Sequence, residues 1–511
     1  MLVLCAAGVL LISACTDDST ADSTADDASA DRSSTSAATT STTAAERVRP
    51  DGPAATFAPL TGGNGRFLLT ASTGPDLAAA GYTETEFAAS GTATAYSQDG
   101  ELPADGMLTL RPTTSAPYST RVIVRRPAAD AAFNGTLVVE WLNVSSGADA
   151  SPDYAYLSDE LVRKGYAWAG VSAQRIGIEG GDVAVPVSLG IDTGAGKGIR
   201  TIDPERYGAL RHPGDAYSYD IFTQVGRALR GDSAPGPATD GLEVDRVLAV
   251  GESQSAFALT TYANGVQPLT DAFDGFLIHS RGGAGAPLGA PDSGIDITST
   301  VLGPPTLLRT DLDVPTIVVQ TETDVLGILN YSPSRQPDAD RLRVWEVAGT
   351  AHADRFQIGP VESALGCAGP INNGQQAFVM RAALRDLDEW AAGGDAPPTA
   401  EPLAIEESSG SPEFVLDDVG NVTGGVRTPA VEAPTAVLSG LPAEGASIIC
   451  ILMGSTSPLP AEQLATRYPE PDDYATAWAA ATDATIDAGF FLPEDRAAII
   501  ADARPTGLAA G

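Results

Sequence analysis

From about residue 137 onward, short apolar runs rich in β-branched residues alternate with stretches of helical periodicity. Residues 137–141, 166–171, 246–250, 275–278, 316–320 and 343–347 read as strands, and most are apolar almost throughout, as strands covered on both faces are. Between them, residues 156–164, 220–229 and 253–264 read as helices, with a glycine just past each end at Gly165, Gly231 and Gly265. Strand and helix alternate, so the fold class is α/β, with a mainly parallel central sheet flanked by helices.

The region before this alternation is different. Residues 50–128 carry shorter, more polar alternating stretches, such as 107–110 and 120–125, and read as an antiparallel lead-in to the sheet. Three Gly/Pro-rich stretches, 176–213, 281–315 and 393–412, are longer than plain connections. The first two leave the carboxyl ends of strands, where α/β sheets bind ligands, and are expected to be cap-like insertions over a site. The third opens a folded extension from about residue 393, since apolar and aromatic residues continue to Leu492.

Residues 2–14 form an apolar run the length of a signal h-region, ending in Ile12-Ser13-Ala14-Cys15. This end resembles the lipobox of bacterial lipoproteins, in which the cysteine is lipidated and becomes the first residue of the mature chain. No Lys or Arg precedes Arg32, a departure that a start assigned too late would explain. The expected organisation is a lipoprotein-type signal peptide over 1–14, a flexible Ser/Thr/Ala/Asp-rich tether over 15–48, and one folded domain over 49–511. The protein is thus expected to be exported, as a cell-surface lipoprotein or secreted, and to meet the membrane only through a lipid on Cys15. Of four cysteines, Cys5 would be removed with the signal and Cys15 lipidated. Cys367 and Cys450 remain, and in an oxidising compartment they are expected to form a disulfide that ties the extension to the core without entering the chemistry.

Composition narrows the function. With 66 acidic against 30 basic residues in 511, the net charge of -36 repels phosphate backbones and excludes nucleic-acid binding. No CxxC pair or other metal-ligand spacing is visible, and Gly282-Gly-Ala-Gly285 lacks the strand-to-helix setting of a nucleotide loop. Neither a metal nor a cofactor is expected.

The sharpest chemical signal is Val247-Leu-Ala-Val-Gly251-Glu252-Ser253-Gln254-Ser255-Ala256, a strand running into a helix through Gly-x-Ser-x-Ser. Such a turn lifts a serine hydroxyl off the sheet edge and requires very small residues two before and two after it, here Gly251 and Ser255. A serine needs a base to take its proton. Of the three histidines, His352 lies in a loop just past the last strand and is the preferred base, ahead of His279 at a strand end and His212 in a Pro/Gly loop. The orienting carboxylate is sought in Thr321-Glu322-Thr323-Asp324, where Asp324 is preferred to Glu322 because it stands farther past the strand. The backbone N–H of Gln254, at the helix start, is the expected first oxyanion donor. Glu252 is left with three roles: perturbing His352, binding part of a substrate, or a salt bridge behind the sheet.

The order Ser253, Asp324, His352, each after its own strand, is that of the α/β-hydrolase triad. From about Thr120 to Gly511 the chain resembles the α/β-hydrolase superfamily, and more narrowly the bacterial alpha/beta hydrolase domain group. Residues 139–144, 203–208, 212–215, 217–220, 251–256, 279–283, 320–324 and 346–354 carry the likeness. The resemblance implies the α/β-hydrolase fold, a serine-hydrolase mechanism, and a second oxyanion donor after the strand ending at Trp141, at Leu142, Asn143 or Val144, with the Asn143-Val144 stretch preferred. The expected function is cleavage of small-molecule carboxylic esters through an acyl-enzyme on Ser253. Alternatives are an amidase, lactonase or acyltransferase with the same triad, and a non-catalytic surface binding lipoprotein. The fold does not set the substrate, and the sequence does not set the oligomeric state.

Overall fold

In a computed structural model of the chain, the described residues are 49–69, 74–187, 192–231, 236–408, 410–442, 446–470 and 472–505. The expected signal peptide, Cys15 and the tether over 15–48 lie outside them.

Nine strands form one sheet: β1 (Thr56–Pro59), β2 (Tyr82–Ser97), β3 (Arg111–Pro127), β4 (Thr136–Trp141), β5 (Ala167–Val171), β6 (Arg246–Glu252), β7 (Gly275–His279), β8 (Thr316–Thr321) and β9 (Leu342–Val347). Their spatial order is β1-β2-β3-β5-β4-β6-β7-β8-β9. The pairings from β1 through β3 to β5 are antiparallel, and those from β5 to β9 are parallel. The antiparallel lead-in thus joins a parallel half built from the six apolar runs.

Helices cover both faces. The ones that position the site are α1 (Pro152–Arg163), α2 (Ser218–Arg230), α3 (Gln254–Thr261), α4 (Glu322–Leu326), α5 (Arg355–Ile358) and α6 (Gln376–Ala391). Successive strand residues point to opposite faces. Accordingly Val138, Leu248, Val250, Leu277 and Val319 pack with α1 and α6, while Leu137, Val139, Val247, Ala249 and Val318 pack with α2 and α3. A strand buried on both sides has few polar positions to spare, which is why most of these runs are apolar almost throughout, with buried exceptions such as Glu140 and Gln320 that are hydrogen-bonded.

Three local expectations need correction. α1 begins at Pro152, four residues before the periodic stretch at 156, because the Glu140 carboxylate of β4 accepts hydrogen bonds from the Asp153 and Tyr154 N–H groups at 3.2 and 3.0 Å. That cap comes from another element and leaves no local signature. Gly265 does not end the elbow helix, which runs on through a π turn at Tyr262–Val266 into Gln267–Thr270. Its hydrogen side chain serves packing instead, since a Cβ there would lie 2.7 Å from Leu110 Cδ1. Residues 107–110 form no strand; Leu108 and Leu110 are buried against that helix, so their alternation records side-chain burial without a ladder.

Of the segment 176–213, the described residues Val185, Val187 and Thr193 line the cavity at the carboxyl ends of the strands. The segment 281–315 backs that structure. Asp215 accepts the Ile295 N–H at 2.7 Å and donates its own N–H to Ser293, while Ile297 packs on Val144 and Ile176. Among the described residues it contributes none of the cavity lining. The extension after α6 adds two small hairpins and further helices, and the Cys367–Cys450 disulfide ties it to the stretch before α6.

Candidate active site

β6 ends in Glu252 and α3 begins at Gln254, so Ser253 is the whole turn between strand and helix. Its backbone is held at φ 62°, ψ -121°, a left-handed conformation that a serine rarely adopts. The turn is crowded. A Cβ on Gly251 would lie 3.0 Å from both Leu259 Cδ1 and Ser255 Cβ, which explains small residues on either side of the serine. The Ser253 N–H donates to the His279 carbonyl at 3.0 Å, tying the elbow to β7.

His352 and Asp324 reach this turn from the ends of β9 and β8. Ser253 Oγ lies 2.8 Å from His352 Nε2, and His352 Nδ1 lies 2.7 Å from Asp324 Oδ1. The other Asp324 oxygen accepts from the Thr321 N–H at 2.7 Å and its hydroxyl at 2.8 Å, so this carboxylate is fixed at both ends. Asp324 is fully buried, and His352 is 4% exposed. The structure therefore brings together the serine, histidine and aspartate that the sequence singled out. A serine hydroxyl in line with an imidazole and an orienting carboxylate is an arrangement that can generate a nucleophile.

Glu322 sits elsewhere. Its two oxygens accept the N–H groups of Gly349 and Gly440 at 2.6 and 2.8 Å, which ties the approach to His352 to the extension. Burial pushes its carboxyl up to about 7, against those two hydrogen bonds. Thr323 completes this tie by accepting the His352 N–H at 3.1 Å and donating to the Gly440 carbonyl. His212 is also apart, buried with its Nε2 2.9 Å from the Ala173 carbonyl oxygen.

The backbone N–H groups expected as oxyanion donors differ in whether they are free. Asn143 donates its N–H to the Ala150 carbonyl at 2.9 Å and its side-chain amide to the Glu252 carbonyl at 3.0 Å. Its backbone N–H is therefore engaged, and the expectation that Asn143 itself is a donor is corrected. Asn143 holds the loop instead. The Val144 N–H meets only a long bond, 3.3 Å to Gln254 Oε1, while Gln254 Nε2 donates to Gln174 at 2.6 Å. The N–H of Gln254 stands at the first position of α3, where no partner exists within a helix.

Beneath the elbow lies a buried polar cluster that the sequence did not disclose. His279 Nδ1 is 2.9 Å from Asp153 Oδ1 and 3.8 Å from Glu252 Oε2. Burial alone would lower the His279 pKa, but the hydrogen bond to Asp153 and the charges of Glu252 and Asp153 outweigh it and hold the ring at about 9. Burial pushes Glu252 up to about 7, with His279 opposing. Gln357 donates its amide to both Glu252 oxygens, at 3.1 and 2.9 Å. Glu252 thus pairs below the sheet end and also borders the cavity. Asp153, Glu252 and His279 offer three donor atoms within 4.8 Å of one another, a set that a divalent cation could use. None of the three is a metal-spacing motif, because they come from α1, β6 and β7.

The cavity over Ser253 and His352 has a volume of about 280 Å3. Asn143, Ser145 and Glu252 lie on its polar side, and most of the remaining wall is aliphatic.

The sequence profile of a family described as alpha/beta hydrolase domain matches residues 56–501. No curated protein matches the chain. Among solved structures, the chain is similar to fungal esterases from Rhizomucor miehei, with 11% identity over 60% of this chain and 85% of that one and a TM-score of 0.29. It is also similar to an alpha-beta serine hydrolase homologue from Coxiella burnetii, with 10% identity over 52% and 92% of the two chains and a TM-score of 0.29. A glucuronoyl esterase from Solibacter usitatus gives 11% identity over 59% and 83%, with a TM-score of 0.27.

Proposed function

The chain belongs to the alpha/beta hydrolase domain family, and we propose that it is a serine hydrolase cleaving carboxylic esters, with Ser253 as nucleophile, His352 as base and Asp324 as orienting acid. The observation that carries this reading is the unbroken hydrogen-bond chain from Ser253 Oγ through His352 to Asp324, at 2.8 and 2.7 Å.

In this mechanism Ser253 Oγ forms a bond to the ester carbonyl carbon while its proton passes to His352 Nε2. Asp324 holds the imidazole in the tautomer with its proton on Nδ1 and stabilises the imidazolium. The carbonyl oxygen, now an oxyanion, is met by the N–H groups of Gln254 and Val144. The substrate oxygen takes the place of the Gln254 side-chain oxygen on Val144, so the enzyme's own weak bond is exchanged for one to developing charge. His352 then returns the proton to the leaving alcohol, and water repeats the steps to free the acid. The aliphatic wall of the cavity suits the apolar part of an ester.

The test is hydrolysis by the purified protein of esters, anilides and lactones sharing one acyl group. Esters are expected to be cleaved, with the activity lost in Ser253→Ala. Turnover confined to anilides or lactones transfers the same triad to an amidase or lactonase, and turnover that survives Ser253→Ala removes the reading. We further propose export with a lipid on Cys15, which the Cys367–Cys450 disulfide supports because such bonds persist in oxidising compartments. Bacterially expressed protein is then expected in the membrane fraction, and Cys15→Ala is expected to abolish lipoprotein processing; soluble, unlipidated wild type contradicts this.

A further inference from the structure

The part of the cavity beyond His352 is built from two segments far apart in sequence. Ile358, Val361 and Leu365 come from the stretch before α6, and Ile449, Leu452 and Met453 come from the extension. No charged side chain lies on this wall; among the described lining residues only Glu252 and His352 are ionisable, and both stand at the Ser253 end. Val361, Leu365 and Ile449 are only half-buried, so apolar surface faces the cavity without a protein group covering it. Such surface gains by receiving an apolar group from solution.

Neither segment holds its own shape. The first is the four-residue α5 followed by a 3-10 turn at Gly359–Ala364, and the second is a six-residue helix at Ile448–Met453. Helices this short are unstable in isolation, because nucleation is unfavourable and few hydrogen bonds follow it. Tertiary ties fix them. Ala353, next to His352, donates its N–H to Leu452 at 3.0 Å, and Asn372 donates its N–H to Met453 at 2.8 Å. The covalent tie is the Cys367–Cys450 disulfide; Cys367 packs in the same apolar cluster as Ile358, Leu365, Ile449 and Met453, and Cys450 is buried beside Ile449. In keeping with the expectation that the bridge stays outside the chemistry, neither cysteine lines the cavity, but each stands beside residues that do: Leu365 just before Cys367, and Ile449 and Leu452 on either side of Cys450.

We propose that this disulfide-tied wall is a subsite for an unbranched alkyl chain of the ester, and that the bridge keeps the subsite formed and so sets chain-length specificity. The inference rests on the reading of Ser253 as the nucleophile, whose hydroxyl opens into the same cavity. The alkyl chain belongs to the acyl or to the alcohol half of the substrate, and the chemistry that recognises it is the same.

Two substrate series on the full-length oxidised protein test it: p-nitrophenyl esters from acetate to octanoate, and acetate esters from ethyl to octyl. In one series kcat/KM is expected to rise about fourfold per added methylene until the cavity is filled, as burial of one methylene provides. The series that rises identifies the half bound. Leu365→Trp, which fills the wall, is expected to lower the ratio of hexyl-chain to acetyl or ethyl activity by about tenfold or more, the equivalent of two lost methylene sites. Cys367→Ser with Cys450→Ser is expected to lower the same ratio, and dithiothreitol reduction of the folded wild type gives the same readout where the double variant does not fold. A flat profile in both series, or a rising profile that ignores Leu365→Trp and loss of the bridge, overturns the subsite. If no ester is cleaved and a fluorophosphonate does not label the protein, the nucleophile reading fails by itself. The subsite is then judged by calorimetric binding of butan-1-ol, hexan-1-ol and octan-1-ol, where affinity that rises with length and falls in Leu365→Trp supports it and equal affinity overturns it.

Discussion

Ser253 is held in a backbone conformation that costs on the order of 1–3 kcal/mol, and the strand before it, the helix after it and its bond to His279 are what hold it there. The orientation of His352 depends in the same way on Asp324, whose second oxygen is fastened to Thr321. Two nearby carboxylates thus have separable jobs. Asp324→Asn keeps the shape but places an amide where both His352 and Thr321 donate, so one of those bonds must be lost or the tautomer reversed. A fall in kcat of about 10^4 is expected, by analogy with orienting aspartates elsewhere. Glu322→Gln touches only the Gly349 and Gly440 N–H groups and is expected to keep kcat within about tenfold of wild type, since no reacting group is removed. Steady-state kinetics on a single ester checks both, and equal losses would mean the two carboxylates had been assigned wrongly.

The β6–Ser253–α3 unit is the element on which the site depends, and its tightest point is Gly251. Adding a valine side chain where Leu259 and Ser255 already stand 3.0 Å from a Cβ forces the helix off the strand. Gly251→Val is expected to lower stability by about 1–3 kcal/mol and to lower activity more than stability alone accounts for, which urea denaturation and kinetics on the folded fraction measure. This unit was legible in the sequence because every requirement is local: apolar strand, small flanking residues, serine, helix. Asp324 and His352 were legible for the same reason, each standing just past a strand that is apolar on both faces. What was not legible depends on partners distant in the chain. Glu140 caps α1 from a neighbouring strand, Asp153 and Glu252 meet His279 across three elements, and the Asn143 N–H turns away to Ala150. Gly265 had the pattern of a helix stop, yet Leu110 decides its role. The apolar wall drawn from the extension had no local sign beyond two cysteines.

Across the molecule, with a net charge of -36, some buried carboxylates such as Glu86, Asp149 and Glu346 pair with arginines, whereas Glu322 is held by backbone N–H groups. Glu322 gives a clean handle on this. Its folded carboxyl is raised to about 7 by burial, so the folded state binds a proton there more tightly than the unfolded chain. Its contribution to stability is full below the unfolded value near 4.5 and is lost as pH rises through about 7. Wild type is therefore expected to lose stability between pH 5 and pH 8 relative to Glu322→Gln, by on the order of 1–3 kcal/mol, measured as parallel denaturation curves at each pH. Parallel pH profiles for the two proteins would show that Glu322 is ionised throughout. The claim on which the whole account turns is that Ser253 is a nucleophile activated by His352. It is tested most directly by labelling with a fluorophosphonate and locating the adduct by peptide mass spectrometry. A single adduct on Ser253 is expected, absent in Ser253→Ala and strongly slowed in His352→Gln, while His279→Gln retains it. An adduct on another serine, or none on an intact folded protein, would contradict it.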